Sequence, residues 1–294
     1  MSNYGGTLKH YIISLFALLM ACTSFASTNL NSTKHPYYGE KFYLDLNSGT
    51  TNEPLLNSLK NVLRSYHLKV DNSYDQIVNN CSGSKCYNHN PVGYDNARVF
   101  LLLGHYLVQL ENNQYGFRDV YCDTIKTAKD FSGVEPNPRR LPNSNIINIE
   151  HTWPQSKFTG KYSKSAQKSD LHHLFPTDSR LNSTRGNGPF GEVRKDTKFF
   201  SCGTARFGVA TNSNAQVFEP PANHKGNLAR ALFYFSVRYD LPINPNEEEY
   251  MRKWSKEDPI DEDEIFRNES IYAAQGNRNP FIDFPYLEDK IQNF

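Results

Sequence analysis

This sequence has no internal repeat, no low-complexity tract and no apolar run long enough for a comfortable membrane span, which needs about 20 residues. A coiled coil, a collagen and a bare linker are excluded. It also lacks charge of one sign: 32 basic residues face 31 acidic ones, so a polyanion would have to be held by a local patch and not by net charge. A mean hydropathy of -0.66 and a charged fraction of 21% leave no room for a multi-span membrane protein. What is present is ample apolar and aromatic material, with 19 Phe and 18 Tyr among 294 residues, enough for a continuous core.

The start reads as a secretory leader. Tyr11 to Met20 form a short apolar run behind Lys9 and His10, followed by the A-x-A-like site Ser24-Phe25-Ala26. The expectation is a signal peptide over residues 1–26 and one domain over 27–294, secreted or periplasmic, with no membrane attachment after cleavage. The alternative is lipidation at Cys22 within Leu19-Met20-Ala21-Cys22. Cleavage leaves four cysteines, an even number in an oxidising compartment, with three possible connectivities. Cys81 and Cys86 lie close together in a Gly/Ser loop and can pair locally, leaving Cys122 for Cys202. Paired C-x-x-C units are absent, which disfavours zinc.

Periodicity predicts a helix from about Pro54 to His67, a polar loop stapled by the first cysteine pair over 71–95, and a strand over Gly116 to Thr124. Val99 to Leu110 fits helix or strand equally. An apolar strand, Ile146 to Ile149, runs into Glu150-His151; a second extended run, Leu171 to Phe175, should stop at Pro176; Asp178 or Ser179 can cap a helix through Asn182 and Arg185. Gly226 to Tyr239 reads as a helix with Leu228, Leu232 and Phe235 on one face, Glu247 to Glu264 as an acidic solvated stretch, and Gln275 to Tyr286 as a loop-like tail.

Chemistry concentrates in the middle. From Arg139 to Arg206 there are 12 basic and 5 acidic residues, a local excess of cations around the Glu-His pair. A phosphodiester is a poor electrophile with a poor leaving group, so its hydrolysis needs a base for water and a cation for the charge developing on the leaving oxygen. Glu150 is a hard oxygen donor and His151 a base with an ordinary pKa near 6.5. Adjacent strand residues point to opposite faces, so the pair works only where the strand ends, as Thr152-Trp153-Pro154 allows. Asn182 offers an amide oxygen from the following helix. His172 and His173 are expected to pack and hydrogen-bond behind the site, Asp170 to orient a histidine or a backbone amide, and Arg185 to meet a phosphate or anchor the turn before Asn187.

These residues carry a resemblance. Asn148-Ile149-Glu150-His151-Thr152-Trp153-Pro154-Gln155-Ser156, then Asp170-Leu171-His172-His173-Leu174-Phe175-Pro176-Thr177-Asp178, then Asn182-Ser183-Thr184-Arg185-Gly186-Asn187 resemble the bacterial endonuclease I family of periplasmic and secreted nonspecific nucleases. Phe218-Glu219-Pro220-Pro221 and Gln275-Gly276-Asn277-Arg278-Asn279-Pro280-Phe281-Ile282-Asp283 fit as well. The resemblance implies an α+β fold, a mixed helical domain with small sheets around a ββα-metal (His-Me) finger. It implies His151 as general base and Glu150 and Asn182 as ligands of one Mg2+ ion, for which Mn2+ or Ca2+ can substitute; Arg185 is the catalytic candidate for the phosphate from the reading of the residues themselves. The implied activity is endonucleolytic hydrolysis of double- and single-stranded DNA, and of RNA, to 5'-phosphate products by a monomer. The family's phosphate-contacting arginine comes from the loop after the Glu-His strand, where this chain offers only Lys157, Lys161, Lys164 and Lys168. Two other readings compete: a noncatalytic exported binder of nucleic acid or another polyanion, and a phosphodiesterase for small nucleotides.

Overall fold

The computed structural model describes residues 34–294, so the expected leader and Cys22 lie outside the described residues. Helices α1 (Gly39–Asn47) and α2 (Asn52–Arg64) open the described chain, α2 burying Leu55, Leu59, Val62 and Leu63 at helical spacing. The expected helix end at His67 is corrected to Arg64. Ser65 is already extended, and His67 stacks on Tyr37 with ring centroids 4.4 Å apart, within β1 (Tyr66–Leu68). β1 pairs antiparallel with β2 (Gln76–Val78) and β3 (Cys86–Tyr87), and a Cys81–Cys86 disulfide closes the loop between them.

The ambiguous stretch near Val99 is mostly helical: α3 (Tyr94–Val99) continues as a π-helical turn over Phe100–His105 before β4 (Leu107–Gln109). β4, β5 (Tyr115–Asp119) and β6 (Thr124–Lys126) form an antiparallel sheet in that order. The single strand expected from Gly116 to Thr124 is therefore a hairpin. Asp119 is the cause: its Oδ1 accepts from the amides of Tyr121 and Cys122, closing the turn, and from the amide of Asp178.

The next elements are β7 (Ile147–His151), α4 (Lys164–Ser169), β8 (Leu174–Asp178) and α5 (Ser179–Arg185). β7 and β8 make a two-stranded antiparallel ribbon, with Ile147 opposite Asp178 and His151 opposite Leu174. Two expectations are corrected here. Leu171–His173 is a 3-10 turn capped by Asp170, not a strand, and Pro176 lies inside β8 without ending it. The Pro176 carbonyl accepts from Val120 outside the ribbon, so its nitrogen also faces away from β7 and no ladder donor is lost. Asp178 caps α5, its carboxylate accepting from the amides of Arg180 and Leu181.

A third three-stranded sheet orders β11 (Gln216–Glu219), β10 (Arg206–Ala210) and β9 (Val193–Lys198), and a Cys122–Cys202 disulfide ties its β9–β10 turn to the body. Both disulfides are those favoured by cysteine spacing. Helix α6 (Lys225–Tyr239) is buried nearly all round, as an apolar helix without a polar face must be, and packs against α2, α7 (Pro245–Glu257) and α9 (Pro280–Asp283). Its start is tight: a Cβ on Gly226 would lie 1.9 Å from the Asp258 carbonyl oxygen. The acidic stretch is not a solvated run. It forms α7 and α8 (Glu262–Gln275), with Glu247, Glu248 and Glu264 buried; Glu264 is ion-paired with Arg230 of α6. The tail is likewise ordered, with Gln275, Asn277, Arg278 and Asn279 buried and Arg278 paired with Asp283 at 2.6 Å.

One buried carboxylate fastens several of these parts. Asp170 accepts from the hydroxyls of Tyr234 and Tyr239 (2.8 Å each), the Gln275 amide (2.9 Å) and the His172 backbone amide (3.1 Å). Burial opposes its ionisation, but His89, His172, His173 and the Gln275 amide outweigh that and hold its carboxyl well below the usual range. Burial pushes His172, His173 and His224 down to about 3. The unfolded chain protonates these rings below pH about 6.5 and the folded chain does not until about 3, so their contribution is complete above 6.5 and is lost as pH falls. Each imidazole removes up to about 1.4 kcal/mol per pH unit in that window. The urea midpoint is expected to drop clearly between pH 7 and pH 5; a midpoint that stays level over that interval contradicts the assignment.

Candidate active site on a strand-strand-helix finger

The ribbon of β7 and β8 is covered on one face by α5, and the pleat decides which residues meet there. Asn148 and Glu150 are two apart on β7 and share a face; Asn182 and Arg185 are three apart on α5 and share a face. These four meet. Asn182 Nδ2 donates to Asn148 Oδ1 at 2.9 Å, which leaves the Asn182 amide oxygen as an acceptor. Arg185 Nη1 lies 2.9 Å from Glu150 Oε1, with both side chains only 2% exposed.

Glu150 sits under strain of an electrostatic kind. Burial pushes its carboxyl up to about 7, against the opposing pull of Arg185 and the hydroxyl of Tyr121 beside it. Its Oε1 accepts no aligned hydrogen bond from any described residue, although Arg185 is near. A buried, incompletely satisfied carboxylate and an amide oxygen are both hard donors. Glu150 and Asn182 thus fit a magnesium-like cation. The one group of three His, Cys, Asp or Glu ligand atoms among the described residues, Asp119, Cys122 and Asp178, does not, because the Cys122 sulfur is committed to a disulfide.

Of the two expectations for Arg185, a phosphate contact and an anchor for the turn before Asn187, the contacts correspond to the second. In the structure its guanidinium is consumed internally: besides pairing with Glu150 it donates to the carbonyls of His151 (3.2 Å), Thr152 (2.7 Å) and Gly186 (3.1 Å), and it lies over the Phe190 ring at 4.2 Å. It braces the end of β7. Exposed cations near the finger are Arg180 on α5 and Lys157 and Lys164 in the loop after β7. Lys161 in the same loop is pinned to Asp240, which also holds Lys60 at 2.8 Å.

His151 leaves β7 on the face opposite Glu150, at the last residue of the strand. Its Nε2 lies 3.0 Å from the Lys168 carbonyl, an acceptor only, so Nε2 carries the proton and Nδ1 keeps its lone pair. Nδ1 faces the exposed amide of Gln155 at 3.3 Å, a partner that a water can replace. Tyr94 stacks on the ring with centroids 5.4 Å apart, and Phe158 and His173 meet it edge-on. Burial pushes His151 down to about 4, the Lys168 carbonyl opposing and the Lys168 and Arg185 charges assisting. The ring is therefore an unprotonated base at neutral pH. His172 and His173 lie behind it, with Nε2 atoms bonded to the carbonyls of Asn277 (3.2 Å) and Gln167 (2.8 Å).

Sequence reasoning missed Asn148, Tyr94, Tyr121 and Gln155. A period of two back from Glu150 points to Asn148; nothing local points to the two tyrosines, which arrive from distant elements.

Comparisons with known proteins place the chain among relatives of one kind. It is 35% identical over 179 residues to the extracellular ribonuclease of Bacillus subtilis (strain 168), covering 53% of this chain and 58% of that protein. It is 31% identical over 117 residues to an extracellular deoxyribonuclease of Aeromonas hydrophila, covering 40% and 49%. It is 28% identical over 176 residues to a periplasmic deoxyribonuclease of Aeromonas hydrophila, covering 54% and 72%. The chain spans about half the length of the first of these curated relatives. The family described as Endonuclease I matches residues 84–286, from the Cys81–Cys86 loop through the finger to the last short helix. With its strand-strand-helix finger inside that match, the chain belongs to the endonuclease I family.

Proposed function

We propose that this protein is an exported, magnesium-dependent, nonspecific endonuclease that acts as a monomer on double- and single-stranded DNA and on RNA. One observation carries the reading. A neutral imidazole whose Nδ1 meets only the exposed Gln155 amide ends the same strand that carries a buried, under-satisfied carboxylate and, two residues before it, an asparagine bonded to Asn182 of the following helix. Glu150 and His151 leave the backbone on opposite faces, so a shared phosphate has to be seated at the ribbon's end, where β7 stops at His151.

His151 Nδ1 takes a proton from the attacking water while Nε2 stays bonded to the Lys168 carbonyl, which steadies the imidazolium that forms. The new bond joins the water oxygen to phosphorus and the P–O3' bond breaks, giving a 5'-phosphate and a 3'-hydroxyl. Held by Glu150 and Asn182, magnesium would neutralise charge developing on the leaving oxygen. Arg185 keeps Glu150 and the carbonyls at the strand end in register. Exposed Lys157, Lys164 and Arg180 supply sequence-independent attraction for the phosphate backbone, so activity is expected to fall with salt. The relatives' names, ribonuclease and deoxyribonuclease alike, support a phosphate-centred site indifferent to the sugar.

Plasmid DNA and an RNA transcript incubated with the oxidised protein are expected to be shortened with magnesium and left intact with chelator. A mobility shift without shortening favours the noncatalytic binder, and cleavage confined to small diesters favours the nucleotide phosphodiesterase. Glu150→Gln and Asn182→Ala are each expected to raise the magnesium concentration for half-maximal cleavage by about ten-fold or more. Titrations superimposable on the parent's overturn the ligand assignment.

A further inference from the structure

The β9–β10 hairpin carries a side chain the fold does not use. Phe199 is 88% exposed, the highest value among the exposed large apolar residues described. Its neighbour Phe200 packs against Phe218, with ring centroids 6.2 Å apart, so the turn has one partly buried aromatic and presents a second one outward. The turn is also held in place: Cys202 is bonded to Cys122, Thr204 Oγ1 donates to the Cys122 carbonyl at 3.3 Å, and Ala205 is buried.

The strand that leads to this residue carries cations. Lys195 and Lys198 on β9 are exposed and form no ion pair with any described residue, whereas the nearby Asp196 is taken by Arg206 at 2.8 Å. The hairpin is joined to the wall of the candidate site. Cys122 follows Tyr121, whose phenol lies beside Glu150, and the Tyr121 ring packs on Phe218 of β11 at 4.5 Å. An exposed aromatic face on a hairpin that also carries exposed Lys195 and Lys198, the latter over the Phe207 ring at 5.4 Å, and that a disulfide ties to the residue after Tyr121, has the chemistry of a platform for a base with lysines for its phosphates.

We propose that Phe199, with Lys195 and Lys198, is a stacking contact for an unpaired base of the nucleic acid strand held at the finger. This rests on the nuclease reading above. Stacking on an aromatic ring needs only a π-face, so the contact adds affinity without sequence preference. It favours single strands and frayed duplex over intact duplex, whose bases are already stacked.

The test measures binding in a His151→Ala background, which prevents cleavage, by anisotropy of a labelled single-stranded oligonucleotide. Inorganic polyphosphate of similar length, which has the charges and no bases, is the parallel probe by competition. Phe199→Ala is expected to weaken oligonucleotide binding roughly five- to a hundred-fold and to leave polyphosphate binding unchanged. Phe199→Trp is expected to restore oligonucleotide binding, with indole fluorescence quenched as the oligonucleotide is added. Unchanged oligonucleotide affinity in Phe199→Ala, or equal losses for both probes, overturns the proposal. If the parent still cuts plasmid in those cases, the nuclease reading stands; a parent that neither binds nor cuts nucleic acid overturns both.

Discussion

Replacing His151 with alanine is expected to lower phosphodiester cleavage by about 10^2 to 10^4-fold, the usual range for loss of a general base, while DNA binding stays close to that of the parent. The size follows from how completely the ring is prepared. Burial keeps it unprotonated, the Lys168 carbonyl fixes the tautomer, and Tyr94, Phe158 and His173 hold its plane. The neighbouring imidazoles cannot take over: His172 and His173 are 1% and 0% exposed, with their Nδ1 atoms buried away from water and substrate. Single-turnover cleavage with the circular dichroism spectrum as a control for folding checks the result. Parental turnover in the variant removes His151 from the mechanism.

The largest effect on stability is expected at Asp170. Alanine there strips four donors of one acceptor group: the Tyr234 and Tyr239 hydroxyls on α6, the Gln275 amide at the end of α8, and the His172 backbone amide at the turn leading into β8. Donors left unsatisfied in a dry interior cost about 1–3 kcal/mol each, so a loss of at least about 4 kcal/mol is expected, a large part of the 5–15 kcal/mol typical of a folded domain. Urea unfolding of Asp170→Ala against the parent measures it. A difference below about 1 kcal/mol would mean that water replaces the carboxylate without penalty.

The finger was legible in the sequence because its signals are local. Asp178 stands where a helix cap must stand, Asn182 and Arg185 share one helical face, and the apolar run ends in Glu150-His151. Cysteine spacing likewise reached the observed disulfides because Cys81 and Cys86 can close a short loop. What was not legible depends on distant partners. Glu264 looks like part of a solvated acidic run until Arg230, 34 positions earlier, is brought against it. Arg185 reads as a free phosphate fork until its donors are seen spent on strand-end carbonyls. Pro176 reads as a strand stop, and only the orientation of its carbonyl toward Val120 reveals that its nitrogen faces the free side of the ribbon. Tyr94 and Tyr121 carry no mark of their neighbours, since the contacts that matter come from folding of the whole chain.

A single carboxylate oxygen of Asp119 secures the amides of Tyr121 and Cys122 after β5 together with that of Asp178 at the head of α5. The strand-strand-helix finger is consequently not a portable cassette. Residues 147–185 transplanted alone into a foreign scaffold would arrive with the Asp178 amide unanswered and with no Tyr121 beside Glu150, so recombination within this lineage has to exchange the preceding hairpin along with the finger.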